Sequence, residues 1–290
     1  MRRIGFVLRR EKPRALALAQ DLAPWLISLG HETFCVEEYA DVVPGARPVP
    51  EATLGQHIDL LVVLGGDGTL LHGTVLVADA GVPVLGINLG RLGFLAPFDP
   101  DEAREVIRAA IAGELAIEER MRLRVSLQRA HVSGGSGGVI ERYALNDAVI
   151  SQGAMARLVE LATTIDGHSV TNYLADGLII CTPTGSTAYN LAAGGPILPP
   201  QQGAFVLTPI CPHTLTNRPL VISSRATIGV QIVGESRGIL LTVDGQWVHS
   251  LLPGDKVEIC KAAAGLKLFR SDRNYFEILR QKLKWGAQNG

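Results

Sequence analysis

Residues 65–69 read Gly-Gly-Asp-Gly-Thr and stand where the apolar run Ile58–Leu64 ends and an apolar helical stretch, Leu70–Ala80, begins. Gly65, Gly66 and Gly68 let the backbone come close to a ligand, and a helix start offers N–H groups and a positive dipole end. With Thr69 the segment reads as a phosphate cradle. It lacks the G-K-[ST] ending of a Walker loop, and it is not the G-x-G-x-x-G fingerprint of hydride-transfer enzymes. A carboxylate inside such a cradle repels the ligand unless it holds a cation or takes a proton. Asp67 therefore reads as a general base, a magnesium ligand, both in sequence, or a cap on the helix that follows.

Three further segments carry polar groups where a ligand needs them. Gly86–Phe94 is a second Gly-rich strand end, after the strand Val82–Asn88. Parallel sheets bind ligands outside the carboxyl ends of their strands, so this loop and the first should face one crevice, unless it is an ordinary turn. The stretch from Asp176 through Thr182–Ile197 gathers hydroxyls at Thr182, Thr184, Ser186, Thr187 and Tyr189 among small residues. These suit a polar nucleotide pocket, with Tyr189 free to stack on a base; the plain alternative is a Ser/Thr-rich loop. Asn146 and Asp147 interrupt the strand-like run YALNDAVI and should point at a ligand or into a polar network.

The elements that must position these groups fall into two textures. From Ile4–Leu8 through the helical stretch Pro13–Leu29 and on to a helix opened by Asp99 and Pro100, strands alternate with helices. That order implies a right-handed parallel crossover and an α/β, Rossmann-like domain over residues 1–116. Pro24 predicts a kink or an early break in the first helix, whose apolar face is Ala15, Leu18, Leu22, Trp25, Leu26 and Leu29. Gly30 and Gly113 are placed to stop the first helix and the Asp99 helix. Residues 117–270 turn to short β segments at sandwich-like spacing, and residues 271–290 hold a helix expected to dock back on the N-terminal domain. Ser133–Gly138 suits a hairpin tip.

Composition narrows the function classes. Lys plus Arg number 27 against 28 Asp plus Glu, with no basic run, which excludes the electrostatic footprint of a nucleic-acid binder. The apolar N-terminal run is too short for a signal peptide and no stretch reads as membrane-spanning, so a cytoplasmic protein with no membrane partner is expected. Cys35, Cys181, Cys211 and Cys260 form no C-x-x-C pair and read as reduced, mostly buried thiols. The scattered histidines give no caged metal site.

In order and spacing, GGDGT, Gly90–Phe94, LNDAVI and DGLIICTPTGSTAYNLAAGGPI together resemble the bacterial NAD kinases, over nearly the whole chain. GGDGT alone is shared with lipid and sphingoid kinases; the TPTGSTAY segment carries the specificity. The resemblance implies transfer of a triphosphate's terminal phosphoryl group to the adenosine-ribose 2′-hydroxyl of NAD, with a divalent cation, Mg²⁺. NAD is expected between the two domains. Asp67 then matches the proton acceptor and Gly68 its neighbour at the NAD site. Asn146 and Asp147 match a dinucleotide-contacting pair that is usually Asn-Glu. Arg157, Leu174 and Asp176 fall on further lining positions, with Leu174 where some relatives have Arg. Thr187, Ala188, Tyr189, Asn190, Leu191 and Ala192 match the pocket segment, with Ala192 where several have Ser, and Gln246 matches a late contact. ATP or another phosphoryl donor and a homodimeric or homotetrameric assembly are implied partners. The alternatives are a lipid kinase, which needs an apolar cavity, and a non-catalytic NAD(P)-sensing module, which has no use for Asp67.

Overall fold

A computed structural model describes residues 1–90, 93–130, 138–153, 158–234 and 238–285. Most of the Ser133–Gly138 stretch lies outside them. The chain forms two compact units, Met1–Glu119 with the residues from Ala264 onward, and Arg120–Ala263.

The first unit begins with strand β1 (Arg3–Leu8), helix α1 (Pro13–Ser28), β2 (Glu32–Val36), β3 (Arg47–Val49) and the short α2 (Leu54–His57). It continues through β4 (Leu60–Gly65), α3 (Asp67–Val77), β5 (Val84–Asn88), α4 (Ala103–Ala112) and β6 (Ile117–Arg120). β1 pairs in parallel with β2 and β4, and β4 with β5, so the carboxyl ends of these strands share one edge. Every residue of β4 is buried, as a central parallel strand covered on both faces requires. α1 runs unbroken through Pro24 because that residue and Gln20, whose carbonyl loses its partner, both face water. Its buried stripe is Ala15, Ala19, Leu22, Ala23 and Leu26; Trp25 instead lies under the Arg104 and Arg108 guanidinium groups, and Leu29 is exposed. Gly30 and Gly113 take the left-handed conformation just past α1 and at the end of α4.

The second unit holds β7 (Leu123–Gln128), β8 (Val139–Ala144), β9 (Asp147–Gln152), β10 (Val159–Ile165), β11 (His168–Ala175) and β12 (Gly177–Cys181). After the short helix α5 (Tyr189–Ala192) come β13 (Ala204–Ile210), β14 (Leu220–Ser223), β15 (Ile228–Val233), β16 (Ile239–Val243), β17 (Trp247–Leu251) and β18 (Lys256–Lys261). Two six-stranded antiparallel sheets result, ordered β11-β10-β15-β18-β7-β8 and β14-β13-β12-β9-β16-β17. Val125, Leu161, Ile180, Phe205, Ile228 and Leu241 belong to the core packed between them. The outer face of the second sheet is covered too, where Val149, Ile179, Cys181 and Val206 pack with Ala193 and Leu198. YALNDAVI is not one strand: the chain leaves one sheet after Ala144 and enters the other at Asp147.

From Ala264 the chain returns to the first unit, adding β19 (Leu266–Phe269) beside β5 and then α6 (Tyr275–Leu283). Ile278 and Leu279 are the buried residues of α6. No helix among the described residues is long and apolar enough to cross a membrane. The four cysteines are free; Cys35 and Cys181 are buried, Cys260 is half-buried and Cys211 is exposed.

Candidate active site

The turn from β4 into α3 places the Gly-rich segment at the strand edge. A Cβ added at Gly66 or Gly68 would meet nothing within 4 Å, so that side of the turn is open to a ligand. Gly65 is glycine for another reason: its Cβ would fall 2.3 Å from Thr69 Oγ1. Gly68 and Thr69 line a cavity of about 310 Å³ whose other walls include Arg9, Arg10 and His72. Glu11 and Glu38 line the same cavity, and Arg9 and Arg10 are paired with Glu11 and Asp41, so it is the open helix start that suits a polyanion.

Asp67 is the first residue of α3, behind Gly66, and it does not cap its own helix. Its Oδ2 accepts from the backbone N–H of Phe94 at 2.9 Å, and its Oδ1 from that of Leu95 at 3.1 Å. Lys282 Nζ, on α6, lies 3.3 Å from Oδ2 and 4.6 Å from the centroid of the Phe94 ring. A Cβ at Gly93 would come within 2.0 Å of Asp67 Oδ1, so this glycine admits the carboxylate. The second Gly-rich loop is thus no ordinary turn. Gly65 pairs with Asn88, and Leu89 N–H donates to Gly65 O at 3.2 Å, which brings the two loops together. Arg91 and Leu92 lie outside the described residues.

Among the described residues no group of three or more His, Cys, Asp and Glu side chains is placed to hold a metal ion. One carboxylate with a remaining lone pair fits a hard cation carried on a triphosphate, and does not fit a cation caged by protein.

In the second unit, Asn146 and Asp147 sit at the corner between β8 and β9. The Asp244 carboxylate, in the turn after β16, accepts from the backbone N–H groups of Leu145, Asn146 and Asp147 at 2.7, 2.7 and 3.0 Å. Asp147 is buried, and burial together with the nearby Asp244 charge pushes its carboxyl up to about 7. Burial raises Asp244 as well, but there the three backbone donors oppose it. Asn146, Asp147, Ala188, Tyr189 and Asp244 line a cavity of about 380 Å³.

The hydroxyl-rich loop divides into scaffold and lining. Thr182 Oγ1 donates to Leu145 O at 2.6 Å and accepts from Gly185 N–H at 3.1 Å; Ser186 Oγ donates to Pro183 O and accepts from Leu198 N–H. Both hydroxyls, expected at a ligand, are consumed in holding the loop, and Thr184 is buried with Arg120 at 3.4 Å. Asn190 is wholly buried; its amide donates to Ser186 O and Pro196 O and accepts from Thr208. Gly185 is pressed against Asn146, its Cβ position 2.2 Å from Asn146 O. Tyr189 is 48% exposed at the cavity, with Thr187 and Leu191 half-buried and Ala192 exposed. Leu174 is exposed on β11, and Asp176 and Gln246 are exposed in turns. Arg157 lies outside the described residues. Lys282 and Asp244 are site residues that no local sequence pattern marks, since their partners lie 215 and about 100 positions away.

Family models for the ATP-NAD kinase N-terminal and C-terminal domains match residues 4–115 and 145–271. The chain is 42% identical to the NAD kinase of Geotalea daltonii over 289 residues, covering 99% of this chain and 100% of that one. It is 44% identical to the NAD kinase of Syntrophobacter fumaroxidans, with 99% of both chains covered. Its structure resembles that of yeast NADH kinase complexed with NADH, at a TM-score of 0.90 and 30% identity, covering 99% of this chain and 89% of that one. An NAD kinase from Archaeoglobus fulgidus in complex with ATP gives a TM-score of 0.77 at 25% identity, covering 97% and 98%. With both domain models matched and full-length relatives above 40% identity, the chain belongs to the ATP-NAD kinase family.

Proposed function

We propose that the protein phosphorylates NAD at the adenosine-ribose 2′-hydroxyl, with Asp67 as the proton acceptor. The observation that carries this is the Asp67 carboxylate, fixed by two backbone N–H groups at a Gly-rich helix start and left with capacity for one more hydrogen bond. Phosphoryl transfer depends mainly on positioning and charge neutralisation, and a positioned base adds about 10²- to 10⁴-fold. Gly65, Gly66, Gly68 and Thr69 would hold the donor's phosphates, with Arg9 and Arg10 on the far wall of that cavity. A divalent cation, Mg²⁺, would be carried by those phosphates and would supply charge neutralisation. Asn146, Asp147 and Tyr189 would take the dinucleotide in the second unit's cavity, together with Ala188. Arg157, Leu174, Asp176, Thr187, Leu191, Ala192 and Gln246 would contribute as lining, and Asn190 as support, in a cytoplasmic homo-oligomer. The domain assignment that goes with this reading is an α/β donor domain, a β-rich NAD domain and a returning C-terminal helix.

The test is to incubate the purified protein with NAD, Mg²⁺ and ATP, another triphosphate or polyphosphate in turn, reading NADP with a strictly NADP-dependent dehydrogenase. NADP should form, stop under excess chelator, and fall about 10²-fold or more in Asp67→Asn. Asparagine offers one oxygen where two backbone donors now bind, so this variant should also lose about 1–3 kcal/mol of stability. Absence of NADP with every donor, or near wild-type rates in the variant, would sink the reading.

A further inference from the structure

From the ion pair that links the two ends of the first unit, we infer that Lys282 is a positioning residue for phosphoryl transfer. It acts through Asp67, as the counter-charge that lets an anionic donor approach that carboxylate. The inference rests on the assignment of Asp67 and residues 65–69 to the donor's phosphates.

A bare carboxylate in an anion cradle opposes its own ligand, and the Gly-rich segment has no lysine of its own. The chain meets this with a residue 215 positions away in sequence. Lys282 Nζ has two neighbours at the site, Asp67 Oδ2 at 3.3 Å and the face of the Phe94 ring at 4.6 Å. Phe94 is also the residue whose N–H holds Oδ2, so ammonium, ring and carboxylate form one cluster.

The helix that delivers Lys282 is fixed at its other end. Asn274 caps α6 by accepting from Phe276 N–H at 2.8 Å, Arg273 pairs with Asp99 at 2.6 Å, and the Tyr275 ring lies 6.4 Å from that of Phe94. Exposed ion pairs usually contribute little, because two long side chains must be ordered in water. Here the carboxylate is already ordered by backbone donors and the side chains of Lys282 and Asp67 are only 32% and 28% exposed, so the pair is preformed. An incoming polyphosphate then meets a neutral pair instead of a negative charge.

The test uses the full chain as Lys282→Met, Lys282→Arg, Asp67→Asn and the double variant Asp67→Asn with Lys282→Met. Inorganic tripolyphosphate is titrated into each by calorimetry, beside initial rates with NAD and MgATP. Lys282→Met should weaken tripolyphosphate about tenfold, the order expected when one carboxylate charge near the ligand is left unopposed, and Lys282→Arg should restore most of it. The double variant, neutral like the wild-type pair, should bind tripolyphosphate about as well as wild type does, because removing the carboxylate removes the charge that Lys282 offsets.

Equal tripolyphosphate affinity in wild type and Lys282→Met would overturn the inference. So would a double variant as weak as Lys282→Met, which would have Lys282 bind phosphate by itself. A Lys282→Met enzyme faster than wild type would overturn it by making the contact an inhibitory latch, and wild type that binds no tripolyphosphate would overturn it by removing the cradle. Failure of the parent reading is seen separately, as absence of NADP in wild type.

Discussion

Asp67 and Asp147 are both carboxyl groups beside cavities, and their surroundings treat them in opposite ways. Asp67 is held by two backbone N–H groups and an ammonium. Asp147 is buried next to the Asp244 charge, which favours the neutral form and pushes it up to about 7. Its folded value therefore stands above its unfolded one, near 3.8. Below the unfolded value both states hold the proton and stability is intact; as pH rises through the folded value that stability is lost. Replacing Asp147 with Asn removes the ionisation and nearly keeps the shape. The stability advantage of Asp147→Asn over wild type should widen between pH 5 and pH 8, by at most about 3 kcal/mol, and its melting temperature should rise relative to wild type accordingly. Thermal melts at those two pH values check this, and a gap that stays constant or narrows would refute the assignment.

At the scale of elements, the corner between β8 and β9 is held by one side chain. Asp244 sits at a φ of 51°, in a region that Asn and Asp tolerate, and its two oxygens take three consecutive backbone N–H groups. Asp244→Ala would orphan all three in a buried place and put alanine in a left-handed conformation, at a cost of about 3 kcal/mol or more. Asp244→Asn retains the oxygen that serves Asn146 and Asp147 and leaves only Leu145 unpaired, so it should lose about half as much. Urea unfolding measures both, and the KM for NAD should rise in the same order. An alanine variant within about 1 kcal/mol of wild type would mean the corner holds itself. The same corner shows why sequence reading succeeds in one place and fails in another. GLIIC and LLVVLG are buried on both faces, and an unbroken apolar run announces that. YALNDAVI has the same texture, yet its break depends on a carboxylate about 100 residues later, which no local pattern records. Gly65–Thr69 could be placed because cradle and helix start are adjacent in sequence. Thr182 and Ser186 look like lining in the sequence because a hydroxyl's type does not reveal whether its partner is a ligand or a carbonyl. Lys282 was missed because a helix's polar face carries no mark of what it meets.

The whole molecule consists of two units with separate cores, the first assembled from both ends of the chain and the second from its middle. The cavity with Gly68 and Thr69 belongs to the first, and the cavity with Asn146, Asp147 and Tyr189 to the second. Backbone hydrogen exchange can therefore ask each unit separately what it binds. A ligand at 100 times its dissociation constant stabilises the state that binds it by about 2.7 kcal/mol, which slows exchange through opening of that state about a hundredfold. With NAD at that level, amides of Val149, Ile150, Ile179 and Ile180, on the strands beside the cavity, should slow by about that factor. With inorganic tripolyphosphate alone, the amides of Val62, Val63 and Leu64, which lead into the Gly-rich turn, should slow, and those of the second unit should respond less. Equal slowing of both sets by tripolyphosphate would mean that the units open as one, and would leave the sites undivided by this measurement. NAD that leaves Val149 and Ile150 unchanged, while its binding is confirmed by calorimetry, would remove the dinucleotide from the second unit's cavity and with it the assignment of Asn146, Asp147 and Tyr189.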